Sequence, residues 1–148
     1  MKVNFEIVAI ENKYHDWFSL NEEALLARGA IKSMAEVKPG YPCRVSLQDA
    51  EIGEKVLLFS FQHHKTHSPY QASGPIFIKA NAQVADLAIN EVPEMLSNRF
   101  LSLRIYDSNG IMIDATTLEG KTLKKEIETI LQNHLASYIQ IHNAKPGC

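Results

Sequence analysis

The stretch FLSLRIYDSNGIMIDATT, residues 100–117, decides the fold. Apolar and polar side chains alternate on both sides of Asp107-Ser108-Asn109-Gly110, which reads as two strands, Phe100 to Tyr106 and Ile111 to Thr117, joined in a hairpin. Two registers compete. A two-residue turn at Asn109-Gly110 puts Asp114 on the face that carries Leu103 and Ile105. A three-residue loop, Ser108-Asn109-Gly110 with Gly110 left-handed, gathers Leu101, Leu103, Ile105, Ile111, Ile113 and Ala115 on one face. Ser102, Arg104, Tyr106, Met112, Asp114 and Thr116 then share the other. A slip of one residue exchanges the faces, so the cleaner separation selects the three-residue loop. That register sets Arg104 across from Asp114 as a cross-strand ion pair.

The same period of two recurs elsewhere. Val3 to Ile10 reads as a half-buried strand, Cys43 to Leu47 and Pro75 to Lys79 as short ones, Lys55 to His63 as a strong one and Ser137 to His142 as the last. On these strands Leu57, Phe59 and Phe61 oppose Ser60, Gln62 and His64, and Ile139 and Ile141 oppose Tyr138, Gln140 and His142. Arg44 and Ser46 oppose Val45 and Leu47. The collected polar face is Arg44, Gln62, His64, Arg104, Tyr106, Asp114, Tyr138, Gln140 and His142. Helices are few. Ser19-Leu20-Asn21-Glu22 is a capping box stopped by Gly29, Pro93 opens a turn carrying Met95 and Leu96, and Thr122 caps a stripe of Leu123, Ile127, Ile130 and Leu131. A meander of strands with two or three short helices predicts an α+β protein. Its antiparallel sheet has one polar face, and the helices at 22–28 and 122–132 lie mainly on the apolar face.

Composition narrows the function classes. A chain of 148 residues, 45% hydrophobic and 22% charged, is expected to form a single domain, 1–148. Fifteen Lys+Arg against seventeen Asp+Glu give a net charge of −2, without the basic stripe that nucleic acid demands. The apolar runs are too short to span a bilayer, and Asn4 and Glu6 interrupt any leader-like stretch. Two cysteines make no disulfide scaffold, so the expected compartment is the cytoplasm.

Several constellations compete with plainer readings. His63, His67 and His142 could meet at a metal, but no acidic or cysteine ligand follows at suitable spacing, and no metal site is assigned. Cys43 falls on the apolar side with Val45 and Leu47, which favours an inert buried thiol over a nucleophile or a redox partner of Cys148. The turn-rich segment Ser68-Pro69-Tyr70-Gln71-Ala72-Ser73-Gly74-Pro75 lacks the ending of a phosphate loop and reads as a connection between strands. Arg44, Arg99 and Arg104 beside Tyr106 and Tyr138 are less ordinary. A plain wet face is usually filled with smaller polar and charged side chains, whereas an arginine fork is suited to a carboxylate or phosphate.

Four phrases carry a resemblance: PGYPCRVSLQDAEIGE (39–54), SPYQASGPIFI (68–78), LSLRIYDSNGIMIDA (101–115) and YIQIHNAKPGC (138–148). With them the chain resembles a bacterial family of unknown function, the one numbered 1203, over most of its length. The resemblance implies a small protein with no assigned activity. It also implies that Cys43, Arg44, Ser68, Tyr70, Arg104, Asp107, Asp114, His142, Asn143 and Cys148 belong to the family's motifs.

The function expected from all this is the binding of a small anionic ligand on the polar sheet face, under a roof made by residues 62–74. Arg44, Tyr70, Arg104, Tyr106, Asp114 and Asn143 are the candidate ligand-binding residues, and His64 and His142 the candidate catalytic ones that would exchange protons. Whether the site is enzymatic stays open, and the sequence names no cofactor. The alternative is a non-enzymatic interaction module that docks another protein or a second copy through the same face.

Overall fold

The computed structural model describes residues 3–148. Its class is α+β, as the meander predicts, with the strands divided between two three-stranded antiparallel sheets. The strands are β1 (Ala30–Met34), β2 (Lys55–His64), β3 (Ala72–Lys79), β4 (Phe100–Tyr106), β5 (Met112–Glu119) and β6 (Tyr138–Asn143). The helices are α1 (Glu22–Leu26), α2 (Glu94–Ser97) and α3 (Leu123–Ile130). One sheet runs β1-β2-β3 and the other β5-β4-β6. Among the described residues no helix is long and apolar enough to cross a membrane.

The chain divides into two compact units. The first comprises Met1–Ile7, Gln62–Ser73 and Leu87–Cys148, the second Val8–Phe61 and Gly74–Asp86. Hydrocarbon fills the second: Leu25, Val45, Leu57, Phe59, Ile76 and Ile78 pack around the thiol of Cys43, with Tyr14 and Trp17 against Phe59. Burial of such side chains contributes roughly 1.5–3 kcal/mol each. In the first unit the apolar face of β4, Leu101, Leu103 and Ile105, is closed from solvent, and α3 buries Leu123 and Ile127.

Local chemistry departs from the expected pattern at four places. Val3 to Ile10 is not a strand. The backbone amide of Phe5 donates to Oδ1 of Asn90 at 2.9 Å, and the backbone amide of Asn90 donates to the Phe5 carbonyl at 2.8 Å, so one residue supplies what a neighbouring strand would have. Helix α1 is capped by Asn21, whose Oδ1 accepts from the Ala24 amide, while Ser19 bonds to the Asp16 carbonyl. The left-handed Gly29 (φ 67°) ends that segment as expected, and the next residues form β1, a strand the sequence pattern hid. Cys43 to Leu47 is a turn: the Leu47 amide donates to the Cys43 carbonyl at 2.9 Å, with Leu47 itself at φ 55°.

The fourth departure changes the site. The hairpin loop is the three-residue one, with Gly110 left-handed at φ 76°, the Asp107 amide bonded to the Ile111 carbonyl, and Tyr106 across from Met112. One residue further a β-bulge intervenes. Ile105 pairs with Asp114 and Arg104 with Ala115, leaving Ile113 as the extra residue. A bulge puts two residues opposite one, so every side chain beyond it changes face. The expected Arg104–Asp114 ion pair therefore does not form. Ile113 and Ala115 are exposed, and Oδ1 of Asp114 accepts from the Ala115 amide.

Candidate functional site

Strand β4 lies between β5 and β6, and its pairing with β6 is regular. Tyr106 sits across from Tyr138, Arg104 from Gln140 and Ser102 from His142. Directly opposed residues share a face, so these six form one polar surface, as the alternation predicts.

The segment Gln62–Ser73 covers that surface through hydrogen bonds of its own. At its start, Nε2 of Gln140 donates to the His63 carbonyl at 2.6 Å, which fixes the amide's orientation. Oε1 of Gln140 then accepts from Nδ1 of His63 at 2.8 Å and from Nε2 of His142 at 3.2 Å. The two imidazoles meet edge to face, 4.7 Å between centroids. Further along, Oγ of Ser68 donates to the Gly110 carbonyl at 2.7 Å, and Thr66 lies so close to Gly110 that a Cβ there would collide with its hydroxyl. Glycine is required at 110 by both its φ and this approach.

His64, the next residue, is almost wholly enclosed at 3% exposure. Its Nδ1 lies 2.7 Å from the Tyr70 carbonyl and its Nε2 2.6 Å from the Tyr138 hydroxyl. A carbonyl only accepts, so the ring carries its proton on Nδ1 and receives the phenol's hydrogen bond at Nε2. The ring also lies against Tyr106 at 3.9 Å, and Tyr106 stacks on Tyr138 at 5.2 Å. The edge of Tyr70 completes the aromatic group.

Arg104 is half-buried among these residues. Its guanidinium bonds to the Tyr106 phenol and, through Nη2 at 3.2 Å, to the Gly147 carbonyl. Both partners are neutral, and among the described residues no carboxylate forms a salt bridge with it. Burial is the main influence on the neighbouring groups. It pushes the phenols of Tyr106 and Tyr138 up, opposed at Tyr106 by Arg104 and reinforced at Tyr138 by Asp107. It holds His63 below its ordinary value, with the Gln140 bond opposing and the charge of Arg104 adding to the effect.

The structure thus brings together six residues in the first unit: His64, Tyr70, Arg104, Tyr106, Tyr138 and His142. Asp114 belongs to the same unit but beyond the bulge. Asn143 pairs with Leu101, on the opposite face of β6 from His142, and its Oδ1 is buried without a hydrogen-bond partner among the described residues. Arg44 lies in the second unit, in the turn after Cys43, where its amide donates to the Phe77 carbonyl. Cys43 is buried as expected, and its sulfur accepts from the amides of Ser46 and Lys79, each at 3.4 Å. Alternation beyond Phe61 puts His63 on the other side of the strand, yet it reaches Gln140 on the face where His64 meets Tyr138. The doublet His63-His64 ends β2, where the chain leaves the sheet and both side chains can reach one surface. Gln140, expected only as a member of the face, is the group that joins two histidines.

No curated protein and no solved structure matches the chain. A family model does, over residues 40–148, which include β2 to β6 and every residue of the covered polar face. The chain belongs to the family of proteins of unknown function numbered 1203 (DUF1203).

Proposed function

We propose that the covered polar face of the β5-β4-β6 sheet binds a small anionic ligand through Arg104. The observation that carries this reading is the guanidinium's set of partners. A half-buried cation usually has a carboxylate beside it, because neutral acceptors offset only part of its lost hydration. Arg104 has a phenol and a carbonyl, and a planar fork with five N–H donors leaves room for a bidentate anion. Gln140, the residue across from Arg104, holds His63 and His142 through its Oε1, and His142 stands on the same face across from Ser102. His142 would add a donor or exchange a proton with the ligand, and Tyr70 and Tyr106 would shape the aromatic wall.

Titration of isotope-labelled protein with inorganic phosphate, acetate and citrate tests the reading by NMR. Saturable shifts of the Arg104 Nε–H and the Gln140 side-chain amide are expected with at least one probe, and their loss in Arg104→Gln. Absence of saturable shifts with all three, or identical shifts in the variant, would overturn it. A urea curve for Arg104→Gln confirms that the variant is folded.

A further inference from the structure

We infer that Tyr138 is a nucleophilic tyrosine activated by His64, so that the face has a reactive group as well as a cation. This extends the anion-binding reading, and its test does not depend on it. An activated hydroxyl has three parts: a nucleophile, a base within hydrogen-bond reach, and a third group that orients the base. All three are in place, and burial keeps the phenol protonated until His64 takes its proton during attack. The Tyr138 hydroxyl is 2.6 Å from Nε2 of His64, and the opposite nitrogen is tied at 2.7 Å to the Tyr70 carbonyl. The carbonyl holds the proton on Nδ1, so the lone pair that takes the phenol's proton points at that phenol. His64 cannot easily turn away, because Tyr106 lies against its ring at 3.9 Å. Tyr138 itself is 36% exposed, whereas its base is enclosed at 3%.

The step balances without any redox partner. The Tyr138 oxygen attacks an acyl carbon while its proton passes to Nε2 of His64. The bond from the acyl carbon to the leaving group then breaks, and the leaving group departs with that electron pair and takes the proton from the imidazolium. The product is an O-acyl tyrosine and a neutral histidine. The substrate class implied is an acyl donor that carries an anionic group for Arg104. A rival role exists, in which the Tyr138–His64 bond only pins the covering segment. In that case the hydroxyl is shielded by its hydrogen bond and reacts more slowly than a free one.

N-acetylimidazole, an uncharged acetyl donor selective for tyrosine, separates the two roles when peptides of the intact chain are quantified by mass spectrometry. Tyr70 is the internal reference, since it is more exposed at 40% and meets His64 through its carbonyl and not through its hydroxyl. Acetylation of Tyr138 is expected to exceed that of Tyr70 by at least about tenfold, a modest share of what a positioned base contributes. His64→Gln should remove the excess and leave Tyr70 unchanged. In urea the wild-type excess should vanish as well, a readout that needs no variant. The inference is overturned if Tyr138 reacts no faster than Tyr70 in the native protein, if His64→Gln keeps the excess, or if unfolding raises the Tyr138 rate. Failure here leaves Arg104 titrations unaffected, because the probe carries no charge.

Discussion

The two units enclose their interiors by different chemistry. Around β1-β2-β3 the enclosed groups are hydrocarbon and a thiol, whose sulfur takes two weak bonds from backbone amides. Between the polar face of β5-β4-β6 and the covering segment the enclosed groups are His64, Tyr106 and His142, each tied into bonds or stacks that join segment and sheet. Apolar packing tolerates exchange of similar shapes, whereas a buried polar network is unfavourable unless every member is satisfied. The first kind of interior accounts for stability. The second fixes particular atoms in particular places, which chemistry requires.

The largest effects should be alike in the two units. Leu57→Ala in the second and Leu103→Ala in the first each remove a fully buried side chain, and each should cost about 2–5 kcal/mol in urea denaturation. A much smaller loss at Leu103 would mean that the polar network, and not its apolar reverse side, holds the first unit together. Gln140→Ala comes next. It strands the His63 carbonyl and takes the shared acceptor from two imidazoles, so a loss of about 1–3 kcal/mol is expected from the same measurement. Gly110→Ala forces a left-handed alanine against Thr66. It should cost roughly 1–3 kcal/mol and raise amide exchange between residues 66 and 70.

A pH series sharpens the contrast further. His63 is held below its ordinary value of 6.5, so the unfolded chain takes up a proton first as the medium is acidified. Its contribution is whole above about pH 6.5 and declines as pH falls from there toward the folded value. The stability gap between wild type and His63→Asn should therefore be smaller near pH 5 than near pH 7.5. The least effect belongs to Asp114. With the bulge separating it from Arg104, Asp114→Ala should change stability by no more than about 0.5 kcal/mol, and a double-mutant cycle with Arg104→Gln should show no coupling.

Much of this architecture is legible in residues 100–117 and 138–142. Alternation there gives the class, the three-residue loop and the face shared by Arg104, Tyr106, Tyr138, Gln140 and His142. The bulge was not legible, because Ile113 and Asp114 alternate as smoothly as a regular strand would, and only the pairing with β4 reveals the extra residue. Strand β1 was hidden for a related reason: Ile31, Lys32, Ser33 and Met34 are all exposed, so no buried period marks them. At Val3 to Ile10 the pattern was present, but the partner of Phe5 was a single asparagine, Asn90, which alternation cannot announce. Arg44 was placed on the polar face by reading Cys43 to Leu47 as a strand, and those residues form a turn. The covering segment was anticipated from its turn residues, while the reach of His63 to Gln140 depended on where β2 ends.

The ring tautomers test the covered face most directly, since the network dictates each one. A long-range proton–nitrogen NMR spectrum of the histidine rings at neutral pH should show His64 and His63 protonated at Nδ1 and His142 at Nε2. His64 protonated at Nε2, or rings averaging between tautomers as in free histidine, would contradict the covered polar face and the reactive Tyr138 built upon it.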